Sequence, residues 1–211
     1  YMKSMFGRIA SRYDLLNTVM TGGRHHAWRA RALQLANPGE GDTALDVGCG
    51  TADFSIALTR YRIKHVVGVD IARPMLKIGC NKLTRHGLSG SIDLALGDAS
   101  RLPFPDGCFD LTVTAFTLRN VPDVELALSE IHRVTRPGGR MISLDIVKRN
   151  PGVLDPILGI YFHRIMPMLG SLVAGDREAY TYLPDSVDTF LSTSELTCLM
   201  TKVGFRNISS K

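Results

Sequence analysis

The segment Ala44-Leu-Asp-Val-Gly-Cys-Gly-Thr-Ala52 decides the fold of this chain. It is an apolar run that ends in a carboxylate, Asp46, and then breaks into a glycine-rich turn. A second apolar run, Val66-Val-Gly-Val-Asp70, also ends in an acid. Short apolar runs of this kind are typical of parallel strands, whose carboxyl ends face a ligand in open α/β sheets. The two segments therefore predict an α/β protein with a binding site at the ends of neighbouring strands.

The residues of the turn indicate which ligand binds there. Gly48 and Gly50 let the backbone turn sharply, and Asp70 can accept hydrogen bonds from both hydroxyls of a ribose. Two adenosine-containing cofactors fit this pattern, a dinucleotide and S-adenosylmethionine (SAM). A dinucleotide fingerprint has a third glycine where this chain has Asp53, whose charge would repel a diphosphate. SAM has no phosphate, and its sulfonium and ammonium groups favour carboxylates such as Asp46, so the pattern favours SAM.

Strand and helix patterns alternate along the rest of the core. The predicted strands are 43–47, 65–69, 91–96, 109–115 and 139–146. The predicted core helices are 52–60, 73–86 and 123–135, and two further helices, 2–20 and 24–36, precede them. This order predicts a doubly wound, mostly parallel sheet of the Rossmann-like α/β class, with N-terminal helices and a lid insertion after the fifth strand.

The 211 residues suit one domain. Its expected parts are an N-terminal helical cap (1–37), a cofactor-binding core (38–147), a lid insertion (148–192) and a last segment (193–211). The last segment is predicted to hold a helix over 193–203 and the start of a strand at 205–208. Because the chain begins at Tyr1 and ends inside that predicted strand, both termini are expected to be truncated.

The net charge of +5 is unevenly distributed. Residues 1–31 carry six basic side chains against Asp14 alone, so the rest of the chain is neutral overall. A basic segment of this kind suits an anionic membrane surface, a nucleic acid or water. The four cysteines are widely separated, and neither they nor the histidines have metal-ligand spacing. The composition therefore predicts a cytoplasmic protein with no disulfide framework and no bound metal.

The third and fourth strands also end in candidate site residues. Asp98 follows the third strand, where an acid can accept a hydrogen bond from the adenine amino group. Arg119 and Asn120 follow the fourth strand, where it opens onto the pocket. Because arginine stays protonated in proteins, Arg119 is expected to stabilise a phenolate and, with Asn120, to orient a water molecule. No histidine or carboxylate is evident beside this pair, so the general base is left open.

Three blocks of the chain together resemble a known family. They are Met5-Phe-Gly-Arg-Ile-Ala-Ser-Arg-Tyr-Asp14 with Asn17 and His26-Ala-Trp-Arg29, then Phe109-Asp110 through Phe116-Thr-Leu-Arg-Asn120, and Asp176-Arg-Glu-Ala-Tyr180 with Tyr182-Leu-Pro-Asp-Ser186. In these blocks the chain is similar to the demethylmenaquinone/ubiquinone-biosynthesis C-methyltransferases, which belong to the class I SAM-dependent methyltransferases.

The resemblance, combined with the strand-end pattern, implies a set of contacts. The expected cofactor residues are Tyr13, Asp46, Gly48, Gly50, Thr51, Asp70, Ile71, Met75, Asp98, Ala99 and Ala115. The expected substrate residues are Phe116, Tyr161, Asp176, Tyr180 and Tyr182, with Arg119 and Asn120 as catalytic residues. Three positions depart from the family pattern: Ala52 replaces a glycine, Ala115 replaces a serine, and Asp145-Ile-Val replaces a Glu-Phe-Ser type of ending. The acceptor pocket is therefore expected to differ.

The reaction that the resemblance implies is methyl transfer from SAM to a ring carbon of a reduced prenylated quinone, either demethylmenaquinol or its counterpart in the ubiquinol pathway. The polyprenyl tail is expected under 153–174, with the basic N-terminal segment docked peripherally on the cytoplasmic face of the membrane. The sequence does not decide whether the chain forms a homodimer.

Three rival functions stay open beside this one. They are a SAM-dependent methyltransferase of another small molecule, a non-catalytic SAM-binding protein and a nucleic-acid methyltransferase. The last is disfavoured because this chain has Phe116-Thr-Leu-Arg where base-modifying amino-methyltransferases usually have Asn/Asp-Pro-Pro-aromatic.

Overall fold

The computed structural model describes residues 5, 7, 8, 10, 13–147, 186, 187 and 189–211. Four of the predicted substrate residues, Tyr161, Asp176, Tyr180 and Tyr182, lie outside the described residues, as does most of the predicted lid insertion.

Five parallel strands form one twisted sheet. Their bounds are β1 Thr43–Val47, β2 His65–Asp70, β3 Ile92–Leu96, β4 Phe109–Ala115 and β5 Thr135–Leu144. Their order across the sheet is β3-β2-β1-β4-β5. The chain therefore winds outward from β1 to β3 on one side, and from β4 to β5 on the other. The carboxyl ends of β1 and β4 meet at the switch point, where open α/β sheets bind ligands.

Helices cover both faces of this sheet. Their bounds are α1 Tyr13–Thr21, α2 Arg24–Ala36, α3 Asp53–Leu58, α4 Arg73–His86, α5 Val124–Val134 and α6 Thr193–Lys202. Two short 3-10 helices, Thr59–Tyr61 and Leu118–Asn120, lie between them. Within the described ranges, no helix is long and apolar enough to cross a membrane.

The strand pleat divides the core into two layers. Ala44 of β1 packs with α2 and α3 on one face, while Leu45 and Val47 pack with α5 and α6 on the other. All three side chains are fully buried. Because side chains alternate across a strand, Asp46 faces the same layer as Ala44, where an apolar residue would be expected.

Local sequence signals set the helix ends. The α4 helix begins at Arg73-Pro74, since proline is pre-organised for a first turn, and it ends at His86, where Gly87 caps it with φ +67°. Asp123 caps α5 by accepting a hydrogen bond from the Leu126 N–H at 2.9 Å. Ser192 and Glu195 form a capping box at the start of α6. The ends predicted for the second N-terminal helix and for the helix at 73–86 are confirmed.

Two predictions about the end of the sheet are wrong. The fifth strand begins at Thr135 and not at 139, because a bulge between Phe109 and Leu111 lets Thr135 pair with Phe109. No strand forms at 205–208. Asn207 has φ +54°, which breaks an extended backbone, and the Phe205 ring packs edge-on against His132 at 5.0 Å between centroids.

Candidate functional site

The turn after β1 is built on two glycines with left-handed backbones. Gly48 has φ +71°, and its N–H donates to the Val69 carbonyl at 2.7 Å. Gly50 has φ +55°, and its N–H donates to Asp70 Oδ2 at 2.8 Å. Only glycine adopts these angles at little cost, and the missing side chains expose the backbone to a ligand. The turn that links β1 to α3 is thereby tied to the end of β2.

Asp70 is held in a fixed orientation. Its Oδ2 accepts from Gly50 and its Oδ1 accepts from the Ala72 N–H at 2.8 Å. Burial raises the pKa of Asp70, and the backbone hydrogen bonds partly oppose that rise. Since each carboxylate oxygen has a second lone pair, Asp70 retains capacity to accept from two hydroxyl groups.

Asp46 is a buried acid on the floor of the site, with a 1 % exposed fraction. The Ser55 hydroxyl of α3 donates to its Oδ2 at 2.6 Å. Burial raises the pKa of Asp46 to about 6, and the Ser55 hydrogen bond and the Arg29 charge partly oppose that rise. A buried carboxylate with a raised pKa is ready to pair with a cationic ligand, because the cation would favour its charged form.

Asp46 predicts a specific pH dependence of stability. Its pKa is raised from 3.8 in the unfolded chain to about 6 in the folded chain. The folded chain therefore binds more protons between these values, and Asp46 lowers the free energy of unfolding as pH rises through that window. The accumulated loss is about 3 kcal/mol above pH 6. We expect Asp46→Asn, which cannot ionise, to match the native chain at pH 4 and to exceed its free energy of unfolding at pH 7. Denaturant titrations across pH 4 to 7 measure this difference.

His25 contributes with the opposite sign. Burial, followed by the Arg29 charge, lowers the pKa of His25 from 6.5 to about 4. Its contribution to stability is full above pH 6.5 and is lost as pH falls toward 4. Because the two groups change the stability of the native chain in opposite directions over this pH range, the difference in free energy of unfolding between the native chain and Asp46→Asn is the informative quantity. A constant difference over this range would contradict the assignment to Asp46.

The N-terminal helix α1 is tied to the turn by a charged cluster. Asp14 accepts from the Thr51 hydroxyl at 2.6 Å and from Lys82 Nζ at 2.6 Å. Lys82 also donates to Asp53 Oδ1 at 2.6 Å and to the Thr51 hydroxyl at 2.9 Å. One ammonium group therefore joins α1 and α4 with the residues that follow the glycine turn.

We expect Lys82→Met to destabilise the chain by about 1–3 kcal/mol, because it leaves two carboxylates without their shared cation in a partly buried site. Thermal unfolding measures the loss. The control is Lys202→Met, which removes an exposed ion pair with Glu125 and is expected to cost under about 1 kcal/mol. Equal losses in the two variants would show that the Lys82 cluster contributes no more than a surface pair.

A strained phenylalanine follows β4. Phe116 has φ +58°, which is rare for a bulky side chain. Its N–H donates to the Leu144 carbonyl at 2.7 Å, and its own carbonyl accepts from Asn120 Nδ2 at 2.7 Å. The Phe116 ring lies close to two guanidinium groups, with its centroid 5.6 Å from Arg29 Cζ and 5.5 Å from Arg119 Cζ. Both distances are in the range of cation–π contacts.

A carboxylate does lie beside the Arg-Asn pair, contrary to the sequence-based expectation. Asp145, just after β5, forms an ion pair with Arg119 Nη1, and its side chain is only 1 % exposed. The Arg119 N–H also donates to Asp145 Oδ2 at 3.4 Å. The expectation was wrong because Asp145 is distant in sequence and reaches Arg119 only when β4 and β5 pair in parallel.

The other predicted residues divide into two groups. Tyr13, Asp46, Gly48, Gly50, Thr51 and Ala115 line one pocket together with Arg29, Cys49, Asp53 and Phe54. Met75 borders Gly50, where its Cε would be 3.4 Å from an added Cβ. Asp98, Ala99 and Ile71 lie outside this pocket lining. Asp98 and Ile71 are exposed at neighbouring strand ends, and Asp98 accepts from the Ser100 N–H at 2.8 Å.

Sequence reasoning gave no role to Arg29, Lys82 or Asp145. Arg29 lies in the His26-Ala-Trp-Arg29 block that carries part of the family resemblance. The sequence therefore marked this residue but did not indicate what it binds. The signal for Asp145 was an acid at the end of the fifth strand. No local signal marks Lys82, because the groups it contacts come from two distant segments, the first helix with Asp14 and the turn with Thr51 and Asp53.

The residues of this pocket fit SAM. Two left-handed glycines leave its wall without side chains, and Asp46 offers a buried carboxylate to a cation. Asp70 is not part of this lining, but it is hydrogen-bonded to Gly50 and offers oriented oxygens to a ribose beside the pocket. Solved structures share the fold. This chain superimposes on the [4+2]-cyclase SpnF with a TM-score of 0.73 and 22 % identity, over 98 % of this chain and 72 % of that one.

A second structural neighbour is a SAM-dependent methyltransferase from Aquifex aeolicus. Its TM-score is 0.65 at 19 % identity, over 92 % of this chain and 88 % of that one. The chain therefore has the fold of the class I SAM-dependent methyltransferases.

The particular family follows from the sequence comparison. The model of the ubiE/COQ5 methyltransferase family matches residues 1–211, and the chain belongs to that family. It is 41 % identical to the demethylmenaquinone methyltransferase of Thermus thermophilus, over 95 % of this chain and 91 % of that protein. It is also 37 % identical to the ubiquinone/menaquinone biosynthesis C-methyltransferase UbiE of Teredinibacter turnerae, over 95 % of this chain and 82 % of that protein.

Proposed function

We propose that this chain methylates a ring carbon of a reduced prenylated quinone, with SAM as the methyl donor. The observation that carries the proposal is the placement of Arg119. Ala115 lines the pocket at the glycine turn, and the Thr117 hydroxyl donates to the Gly48 carbonyl at 3.3 Å. The loop that carries Arg119 is therefore fixed directly to the proposed cofactor turn. The names of the relatives support the same choice of substrate.

The cofactor would lie along the ends of β1, β2 and β3. In this proposal Asp70 accepts from the ribose hydroxyls, Asp98 faces the adenine, and Gly48 and Gly50 give the ligand access to the backbone. Tyr13 and Met75 cover the turn, with Thr51, Ile71, Ala99 and Ala115 completing the contacts. When bound, SAM supplies an electrophilic methyl group on its sulfonium.

The acceptor ring would lie beside Arg119. A hydroquinone that loses a phenolic proton becomes nucleophilic at the adjacent carbon, and the permanent charge of Arg119 stabilises the phenolate oxygen. Asp145 acts as a positioning residue, because its ion pair fixes the guanidinium. Holding the two reactants in line and excluding water supply the rest of the rate enhancement. In this proposal Phe116 contacts the ring, and Tyr161, Asp176, Tyr180 and Tyr182 are further substrate residues.

The phenolic proton is proposed to leave through a water molecule held by Arg119 and Asn120. The bond from the methyl group to sulfur would break as the bond to the ring carbon forms, leaving S-adenosylhomocysteine, and the proton that the methylated ring carbon then loses would restore the hydroxyl group. Asn120 also supports the strained Phe116 backbone through its Nδ2. We expect Asn120→Ala to lower turnover with little change in SAM affinity, which single-turnover assays and calorimetry measure separately. Full turnover in Asn120→Ala would remove the water from the mechanism.

The decisive test uses SAM with a labelled methyl group and a reduced, short-tailed demethylmenaquinol. We expect label in a carbon-methylated product, identified by mass spectrometry. The matched control is the same ring without its tail, which tests whether the prenyl group contributes to binding. SAM binding without any labelled quinol would leave the cofactor proposal standing and overturn the substrate proposal in favour of another small molecule.

We also propose that the protein docks peripherally on the cytoplasmic face of a membrane, where a prenylated substrate resides. The segment 1–31 is basic, and it exposes two large apolar side chains, Leu15 at 53 % and Trp28 at 36 %. Exposed apolar groups beside basic ones suit an anionic lipid surface. Flotation with anionic vesicles should carry the chain upward, and neutral vesicles should not. Absence from the anionic vesicle fraction would exclude this docking.

A further inference from the structure

One strong charge in the pocket has no part in the mechanism above. Arg29 of α2 lines the same pocket as Asp46 and Gly48, and its side chain is only 8 % exposed. Among the described residues, Nε and Nη1 of Arg29 have no hydrogen-bond partner. A buried guanidinium with unused donors is costly, so its donors are expected to meet an anion that the protein alone does not supply.

Among the described residues, the acidic side chain that approaches Arg29 does not satisfy its donors. Asp53 Oδ2 is 4.0 Å from Arg29 Nη1, beyond hydrogen-bond distance. The other oxygen of Asp53 already accepts from Lys82 at 2.6 Å. The Phe116 ring, with its centroid 5.6 Å from Arg29 Cζ, packs against the guanidinium and restricts its orientation. Arg29 is therefore fixed in place, while two of its donors stay available.

We infer that Arg29 binds the α-carboxylate of the amino-acid part of SAM, a role that rests on the cofactor site proposed above. Asp46 and Arg29 line the same small pocket with opposite charges, and the amino-acid part of SAM carries both an ammonium and a carboxylate. Asp46 matches the cation and Arg29 matches the anion. Arginine suits this role because its planar donors can bind a carboxylate through two parallel hydrogen bonds.

The Phe116 ring separates this subsite from the acceptor side. Arg29 and Arg119 contact the same ring, yet only Arg29 is part of the pocket lining at the glycine turn. The two guanidinium groups thus have different anions to bind: a carboxylate of the cofactor for Arg29 and a phenolate of the acceptor for Arg119.

The test compares SAM with decarboxylated SAM, which keeps the sulfonium and the amino group and lacks only the carboxylate. By calorimetry, we expect the native chain to bind SAM at least tenfold more tightly than decarboxylated SAM, as a charge-assisted hydrogen bond allows. This comparison needs no variant. Equal affinities in the native chain would overturn the inference.

Variants then assign the preference to Arg29. Arg29→Met should lower the affinity for SAM at least tenfold and change the affinity for decarboxylated SAM by less than threefold. The variant would therefore no longer prefer SAM over decarboxylated SAM. Arg29→Lys should keep part of it, because the charge remains. Arg31→Met is the matched control, since Arg31 is exposed on the same helix, and it should bind like the native chain. Circular dichroism and thermal unfolding check that each variant is folded.

The outcomes separate this inference from the cofactor site itself. Asp70→Asn could abolish SAM binding while Arg29→Met still prefers SAM over decarboxylated SAM as strongly as the native chain does. That result would support the proposed cofactor site and overturn the assignment of Arg29 to the carboxylate. If Arg29→Met instead weakens only the quinol, Arg29 serves the acceptor, which also overturns the inference.

Discussion

Arg119→Ala is expected to lower turnover roughly 100- to 1000-fold, because it removes the charge that stabilises the phenolate. The same change should destabilise the chain by about 3–5 kcal/mol, since it leaves the buried Asp145 carboxylate without its partner. Activity and stability would thus fall together, and a single variant could not tell one cause from the other.

A double variant separates the two effects. Arg119→Ala with Asp145→Asn removes the buried charge as well as its partner, so most of the lost stability should return while turnover stays low. Denaturant unfolding and single-turnover methyl transfer measure the two quantities. The matched control is Arg136→Ala, which breaks an ion pair with Asp110 whose arginine is 53 % exposed. It should cost under about 1 kcal/mol and leave turnover unchanged. Turnover that returned with stability in the double variant would reduce Arg119 to a structural residue.

Gly48→Ala is expected to destabilise the chain by about 2–5 kcal/mol and to weaken SAM binding. Part of the loss, about 1–2 kcal/mol, comes from placing an L-residue at φ +71°. The rest, about 1–3 kcal/mol, comes from overpacking, because the new Cβ would lie 2.3 Å from the side chain of Thr117. Thr117 cannot move freely, since its hydroxyl bonds to the Gly48 and Ala115 carbonyls.

Gly23→Ala is the matched control for the backbone term. Gly23 has φ +74°, and an added Cβ would meet nothing within 4 Å. Gly23→Ala should therefore lower the free energy of unfolding only by the cost of a left-handed backbone. The difference between the losses in the two variants should measure the clash with Thr117. Denaturant unfolding gives both values. Equal losses would mean that Thr117 yields to the new methyl group at no cost.

The sequence predicted the architecture well where short-range patterns act. The apolar runs that became β1 and β4 and the helix at 73–86 formed as expected, because strand and helix periods and helix caps are local properties. The prediction failed at the end of the sheet. A bulge starts β5 early, and the backbone of Asn207 prevents a strand after α6. Both outcomes depend on how neighbouring segments pair, which local periodicity does not encode.

The predicted site shows the same division. Glycines and acids at strand ends were enough to propose Asp46, Gly48, Gly50 and Asp70 as site residues, because open α/β sheets bind ligands at the carboxyl ends of their strands. Arg29 was noticed only as part of a motif, and the role proposed for it rests on burial and unused donors that the sequence does not show. The sequence does not distinguish a buried arginine from an exposed one at this position of the motif.

By itself, the sequence determined that this chain is an α/β protein with a glycine-rich turn after its first strand, since turn geometry and strand burial follow from adjacent residues. Only the tertiary structure decided that Asp145 holds Arg119, that Lys82 joins α1 to the turn, and that Arg29 lies buried beside Phe116. The physical reason is that charge pairing and burial depend on distances in space. Arg119 and Asp145 are 26 positions apart along the chain, and they meet because parallel strands bring their carboxyl ends to one edge.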